Sequence, residues 1–279
     1  MRGAFDRLRA AVYGQAVGDA LGVPYEFRPR DMFRCVGMTG YGTHNRPAGT
    51  WSDDTSMMLA TLDSLAANDW HVDVDDMRAR FLSWLDGGEY AIDGDVFDRG
   101  VTVATALRRG EGATGFYDNG NGSLMRIMPL AFADCGAGDA GRASAITHAH
   151  PVSRRCCVAW VTLLRNALEG AGLGPYGERA RRRSRDSVRS GGFVGDTFEA
   201  ALWCAATTDN YRDCVLAAVN LGGDADTTAA VAGGLAGILY GFEAIPGEWL
   251  DSLRGGGIIE AVLGRARETW RKGTVDGRP

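Results

Sequence analysis

Histidine is scarce in this chain, with four in 279 residues, and none is followed by aspartate. That removes the His-Asp signature of HD-type phosphohydrolases and argues against a His-rich zinc site. The six cysteines (Cys35, Cys135, Cys156, Cys157, Cys204, Cys214) include no C-x-x-C pair and no metal-ligand spacing. With no signal peptide ahead of them, they read as reduced thiols of a cytoplasmic protein. No uncharged run reaches the ~20 residues that span a bilayer. The longest is 229–242, so no membrane partner is expected. Basic excess is missing too: a net charge of −5 argues against a general nucleic-acid binder. Strand-like alternation and an internal repeat are both absent. Neither the G-K-[ST] of a P-loop nor the strand-preceded glycine loop of a dinucleotide fold occurs.

What the chain has in quantity is glycine, 40 residues, beside a 45% hydrophobic share. That is about twice average glycine usage. The glycines cluster next to polar motifs and inside helical stretches, which implies loops and close packing. Apolar periodicity predicts helices over 4–21, 55–67, 73–86, 196–207, 211–219, 229–242 and 258–271. Two more end through Ala106–Leu107 and Leu164. Pro24 is expected to hold Val23 extended. Glu26, between two aromatics, reads on its own as an exposed loop acid. Asp118–Arg126 reads as a glycine loop opening an apolar helix, able to cradle phosphate. Residues 170–192, with glycines and six arginines from Arg179 to Arg189, read as a solvated Gly/Arg-rich surface segment. The expectation is an all-α fold, a single compact multi-helix domain over 1–279.

Two motifs stand out. Gly49-Thr50-Trp51-Ser52-Asp53-Asp54-Thr55 opens an apolar helix whose inward stripe, Met58, Leu62 and Leu65, begins four residues earlier at Asp54. Gly222-Gly223-Asp224-Ala225-Asp226-Thr227 opens a second one, with Val231, Leu235 and Ile238 on its stripe. Gly233, Gly237 and Gly241 recur there every fourth residue, which lets another helix approach closely. Ser and Asp are preferred N-caps, and that is the plain reading of either motif alone. A carboxylate aimed into a core must be paired, hydrogen-bonded or metal-bound. A matched pair of such motifs supplies four carboxylates and several hydroxyls, an all-oxygen donor set for Mg²⁺ or Mn²⁺. Asp19 ends the apolar stripe of the first helix and needs a partner as well.

With both motifs in view, the chain resembles the ADP-ribosylglycohydrolases of the dinitrogenase-reductase-activating type. The likeness rests on ordered stretches: GQAVGDALGVPYEF (14–27), TWSDDT (50–55), FDRG (97–100), NGNGSLMRIMPLA (119–131), THAHP (147–151) and NLGGDADTTAAVAGGLAGILYG (220–241). It implies an all-α fold with two divalent cations, Mg²⁺ or Mn²⁺, at the base of a cleft. The implied activity is hydrolysis at the ribose C1″, releasing ADP-ribose from a modified protein or small molecule. The implied ligands are Ser52, Asp53, Asp54, Asp224, Asp226 and Thr227, with Glu26, Asp54 and Asp226 as carboxylates able to guide a water's proton. Gly100, Gly120, Asn121, Gly122, Ser123 and Met125 match segments that hold diphosphate and ribose. His148 matches a histidine near adenosine, and Asp98 an acid near the scissile ribose. Arg99 and Val101 depart from the commoner Ile and Asn. A non-catalytic ADP-ribose-binding member of the fold is the alternative.

Overall fold

A helix built of glycine and alanine on one side can bring its backbone against another helix, and the chain does this with its first and tenth helices. In the computed structural model, which describes residues 2–275, α1 is Arg2–Gly22 and α10 is Ala225–Tyr240. A Cβ on Gly14 would fall 2.4 Å from the Gly233 carbonyl oxygen, and one on Gly18 2.1 Å from that of Ala229. One on Gly237 would fall 2.2 Å from the carbonyl oxygen of Ala10, and one on Gly22 2.3 Å from Asp226 Cα. The α1 numbers rise as the α10 numbers fall, so the pair is antiparallel. The end of α1 therefore meets the start of α10.

The remaining helices wrap this pair. They are α2 Asp53–Ala67, α3 Val74–Gly87, α4 Val101–Arg109, α5 Ala137–Ala145, α6 Pro151–Leu168, α7 Gly174–Arg181, α8 Val194–Thr207, α9 Tyr211–Val219, α11 Gly247–Ser252 and α12 Gly256–Val275. α8 and α9 pack on α10, while α2 lies against α12 and α3. Among the described residues there are isolated bridges but no strand, and no helix is long and apolar enough to cross a membrane. α2 is buried from Asp53 to Ala66, on every face. Its polar residues must therefore find partners inside. Asp63 accepts hydrogen bonds from Arg80 Nη1 (2.6 Å), Arg265 Nε (2.6 Å) and Tyr90 OH (2.8 Å), which ties α2 to α3 and α12.

Four local expectations change. Val23 is not extended: Val23–Tyr25 is a 3₁₀ turn continuing α1, with Pro24 at its start, where a missing N–H costs nothing. Glu26 is buried rather than exposed. The stretch after the 119–125 loop is a chain of turns and a 3₁₀ helix, Met128–Phe132, with Pro129 at its head. Gly241 caps α10 at φ 84° instead of meeting a neighbouring helix. Within 170–192 the chain forms α7, and Ala180, Val188 and Ser190 are buried. Arg183 pairs with Glu199, Arg185 with Asp31 and Arg189 with Asp196.

The seam can be tested by volume. Gly233→Ala should destabilise the fold by about 1–3 kcal/mol, because the methyl group collides with backbone that cannot yield locally. Gly264→Ala, in α12 with open space around its Cβ, should be neutral or stabilising, since alanine is the better helix former by about 1 kcal/mol. Thermal melts of the two variants check the contrast; equal shifts would contradict it.

Candidate metal centre and cleft

The first turn of a helix has four N–H groups without intrahelical partners. α2 satisfies them with a carboxylate from another helix. Asp19, in the last turn of α1, is fully buried and accepts from Ser52 N (2.9 Å), Thr55 N (3.0 Å) and Thr55 Oγ1 (2.6 Å). Ser52 is the N-cap proper; its Oγ accepts from Asp54 N (3.3 Å) and lies 2.9 Å from Asp54 Oδ2. Capping is thus met by Asp19 and Ser52, and neither Asp53 nor Asp54 is needed for it.

At the start of α10, Gly222 and Gly223 both have positive φ, 67° and 70°, and deliver Asp224 to the N-cap position. Asp224 makes no side-chain cap bond there and accepts instead from Asn121 Nδ2 (2.9 Å). Asp226 is fully buried, with Oδ1 accepting only from Thr227 N (2.9 Å). Thr227 Oγ1 donates to Asp54 Oδ2 at 3.3 Å, a direct link between the two motifs.

Side-chain oxygens of Asp19, Asp54 and Asp226 lie within 4.8 Å of one another, as do ligand atoms of Glu26, His44, Asp98 and Asp226. Seven buried side-chain atoms among the described residues have no hydrogen-bond partner, and three are here: Asp54 Oδ1, Asp224 Oδ1 and Asp226 Oδ2. An unpartnered buried carboxylate oxygen is costly. Asp54 and Asp226, from two helix starts, share one close group, while Asp224 and Asp53 stand outside it in the cleft wall; the set fits divalent cations that prefer oxygen ligands.

The electrostatics agree. Burial pushes Asp53, Asp54 and Asp226 well above the ordinary carboxylate range, helped by Asp54, Asp19 and Glu26 respectively. Burial and then Asp224 raise Glu26 to about 8; burial and then Glu26 raise Asp98 to about 7. Asp19, buried but relieved by its donors, rises only to about 6.

Above this floor opens a cleft of about 250 Å³. Its lining includes Glu26, Asp53, Asp98, Gly100, Gly120, Asn121, Gly122, Met125, His148, Asp224 and Thr227. Ser52, Asp54 and Asp226 sit beneath. Ser123 is the exception among the expected residues: its hydroxyl turns inward to Ser144 Oγ (3.0 Å) and Cys157 Sγ (3.4 Å). A larger groove of about 590 Å³, lined by Gly138, Arg154, Val158 and Tyr176, contains none of these residues.

Two neighbours were missed by sequence reasoning. His44 Nε2 contacts Glu26 Oε2 and lies 3.9 Å from Asp98 Oδ1, while Thr43 Oγ1 donates to the Glu26 carbonyl (2.6 Å). Nothing periodic marks this segment; the only available signal was one of four histidines lying shortly before the first acidic motif. Arg126 is buried and donates to Gly122 O (2.7 Å), Ala143 O (3.2 Å) and Thr147 Oγ1 (2.9 Å). Its guanidinium stacks on Phe81. Thr147 Oγ1 in turn meets His148 Nδ1 at 2.9 Å. Burial, then Arg126, push His148 down to about 3, so its imidazole is neutral.

Comparison with known proteins fits this geometry. The family model described as ADP-ribosylglycohydrolase matches residues 2–275. The chain belongs to the ADP-ribosylglycohydrolase family. It is 36% identical over 278 residues to an ADP-ribosylarginine hydrolase Tri1 of Pseudomonas putida, covering 90% of this chain and 75% of that protein. It is 35% identical to an ADP-ribosyl-[dinitrogen reductase] glycohydrolase of Rhodospirillum rubrum, covering 89% and 90%. A solved structure described as an ADP-ribosylglycohydrolase-related protein complex superposes with a TM-score of 0.79 at 33% identity, covering 97% of this chain and 99% of that one. As a member of this family the chain is a glycohydrolase, and its all-helical fold is the family's.

The acidic cluster has a pH signature. Without cations, Asp19, Asp98 and Glu26 keep their protons up to about 6, 7 and 8 in the folded chain. Unfolded carboxyls titrate near ~4. The folded state therefore binds more protons between these limits, so this contribution to stability is full below about 4 and is lost as pH rises through 6–8. Melting temperature in EDTA should fall from pH 5 to pH 8, and Mn²⁺ or Mg²⁺ should flatten the slope. A rise over that range in EDTA would contradict the cluster.

Proposed function

We propose that this chain hydrolyses the bond between ADP-ribose C1″ and a modified acceptor, with an arginine side chain as the acceptor. The observation that supports the reading is that Asp54 and Asp226, from two helix starts, share one close carboxylate group and each keep an unpartnered oxygen, with a third on Asp224 in the wall of the glycine-lined cleft. The arginine acceptor is supported by charge: the lining includes Glu26, Asp53, Asp98 and Asp224 and no lysine or arginine. A guanidinium at the mouth meets carboxyl oxygens that can accept its N–H groups there. The names of the Pseudomonas and Rhodospirillum relatives point to the same chemistry.

In this reading Asp54, Asp224 and Asp226, with Ser52, Asp53 and Thr227, hold two divalent cations. When bound, Mg²⁺ or Mn²⁺ supplies positive charge against the ribose hydroxyls and acidifies a water. The protein's own residues do the rest. The backbone of Gly120–Met125 receives the diphosphate, where small residues let the ligand approach closely. His148 lines the cleft beside Gly120 and Gly122 as a neutral group. Glu26, at about 8, sits close enough to neutrality to take up and release a proton. The C1″–N bond breaks, a water oxygen bonds to C1″, Glu26 takes the water's proton, and that proton is returned to the leaving guanidine nitrogen, which restores Glu26. Asp98 and His44 border Glu26 and hold its carboxyl in place. The six free thiols fit a reducing, cytoplasmic setting.

Hydrolysis of ADP-ribosyl-arginine should vanish in EDTA and return with Mn²⁺ or Mg²⁺. Asp226→Asn should lower kcat by more than the roughly 10–100-fold typical of outer partners of a metal site. Full turnover in chelator, or in Asp226→Asn, would overturn the reading. Tight ADP-ribose binding without turnover would mark a non-catalytic member instead.

His148→Ala should act differently. The contact it removes exists in ground and transition states alike, so KM should rise while kcat holds. Steady-state kinetics decide it; a large fall in kcat at constant KM would place His148 in the bond chemistry.

A further inference from the structure

Nine large apolar side chains are exposed among the described residues; two of them line the cleft, and three more lie on segments tied by backbone bridges to its Gly120 and His148 walls. Phe27 (66% exposed) and Val101 (83%) line the mouth itself. Phe193 (44%) is bridged by its backbone to Gly120. Phe116 (76%) and Tyr117 (96%) form the tip of a loop that leaves the bridge between Ala113 and His148 and returns at Gly120. Scattered exposed apolar residues need no explanation, but a set gathered on one rim does.

The rim is built rather than frayed. Asp118, just behind the tip, accepts from Gly115 N (3.2 Å) and from Thr102 Oγ1 (3.4 Å), a cleft-lining residue. Asn119 is buried and donates to Phe116 O (2.9 Å), while its own oxygen accepts from Ser153 Oγ (3.0 Å). The two tip rings meet edge to face, centroids 5.3 Å apart. Across the mouth, Phe27 is held at φ 61°, in the left-handed region that bulky residues avoid. Its N–H donates to Gly223 O (2.6 Å), which locks the strained backbone to the turn before Asp224. Strain at a bulky, exposed residue points to function.

We propose that this aromatic rim docks the polypeptide that carries the ADP-ribosyl group, so that the chain recognises a protein acceptor and not only the modified side chain. The proposal rests on the hydrolase reading above. In that reading C1″ lies over the acidic floor, so whatever is attached to it leaves through the mouth and crosses the rim. Aromatic side chains are the residues that anchor protein interfaces. A nucleic acid could stack on the same rings, but it would bring phosphates up to a wall of carboxylates.

Two variants test it: Phe116→Ser with Tyr117→Ser, and separately Phe193→Ser. Each is assayed on free ADP-ribosyl-arginine and on a folded protein ADP-ribosylated at one surface arginine. KM for the protein should rise about tenfold, a typical loss at an interface anchor, while kcat and KM for the free compound stay at wild-type values. The free compound doubles as the folding control. Equal effects on both substrates, or none on either, would overturn the rim. So would a loss confined to an ADP-ribosylated oligonucleotide, or a wild-type dimer in sedimentation that the variants dissolve. Wild-type protein inert toward both substrates would overturn the hydrolase reading, and this proposal with it.

Discussion

The backbone contact between α1 and α10 sets everything else. Side chains of ordinary size would hold two helices 8–10 Å apart; glycines at 14, 18, 22, 233 and 237 remove that spacer. Because the pair is antiparallel, the seam runs out where α1 ends and α10 begins. Asp19 and Glu26 are then brought beside Asp224 and Asp226, far away along the chain. α2 is added as the third member by Asp19, whose carboxylate accepts the N–H groups of its first turn. The candidate metal centre is the meeting point of three helix ends. It could not form if the first two stood further apart.

That arrangement creates an electrostatic problem and part of its answer. Helix N-termini carry partial positive charge, worth about 0.3–1 kcal/mol to a nearby carboxylate at exposed sites. Two such ends face the cluster. They cannot balance Asp53, Asp54, Asp226 and Glu26, all pushed upward by burial and by one another. The fold holds these groups together through its surrounding core, where Trp51, Trp84, Trp160 and Trp249 are fully buried. The excess negative charge is left for something mobile to neutralise. The same lining also holds a neutral group: burial, and then Arg126 behind Thr147, keep the His148 imidazole uncharged. The cleft lining therefore combines carboxyl groups with one uncharged imidazole.

Much of this was legible in the sequence, because long helices with strong stripes announce themselves. α1, α2, α3, α6, α8, α9, α10 and α12 follow from apolar spacing. The Gly233/Gly237 pattern foretold a close helix neighbour, although not which one. α5, α7 and α11 escaped for a physical reason. GPYGERAR and GEWLDS are short and offer too few apolar residues to define a face, and AGDAGRASA is mostly small ones. The two acidic motifs were visible because each repeats the other's logic at a helix start. Glu26 and Asp98 needed the resemblance, since loop acids carry no periodic signal. His44 escaped altogether: its position depends on a 3₁₀ turn at 42–44 folding back on Glu26, a tertiary fact no local pattern encodes.

The acids also differ in what their oxygens already do, and this separates scaffold from chemistry without reference to any relative. Asp63 is buried like Asp54 and lies on the same helix, yet its two oxygens accept from Arg80, Tyr90 and Arg265. Asp19 is buried beside Asp54 and Asp226, and its ligand oxygen falls within the same 4.8 Å group. Both of its oxygens nonetheless face donors on the first turn of α2. A cation taken up by Asp19 would have to draw it away from those donors and loosen the start of α2. Asp54, Asp224 and Asp226 each keep one oxygen that nothing among the described residues satisfies. A fold under pressure for stability alone would have given those oxygens donors, as it did for Asp63 and Asp19. Leaving them bare on the floor and wall of one cleft fits a site that takes up something the polypeptide itself does not provide.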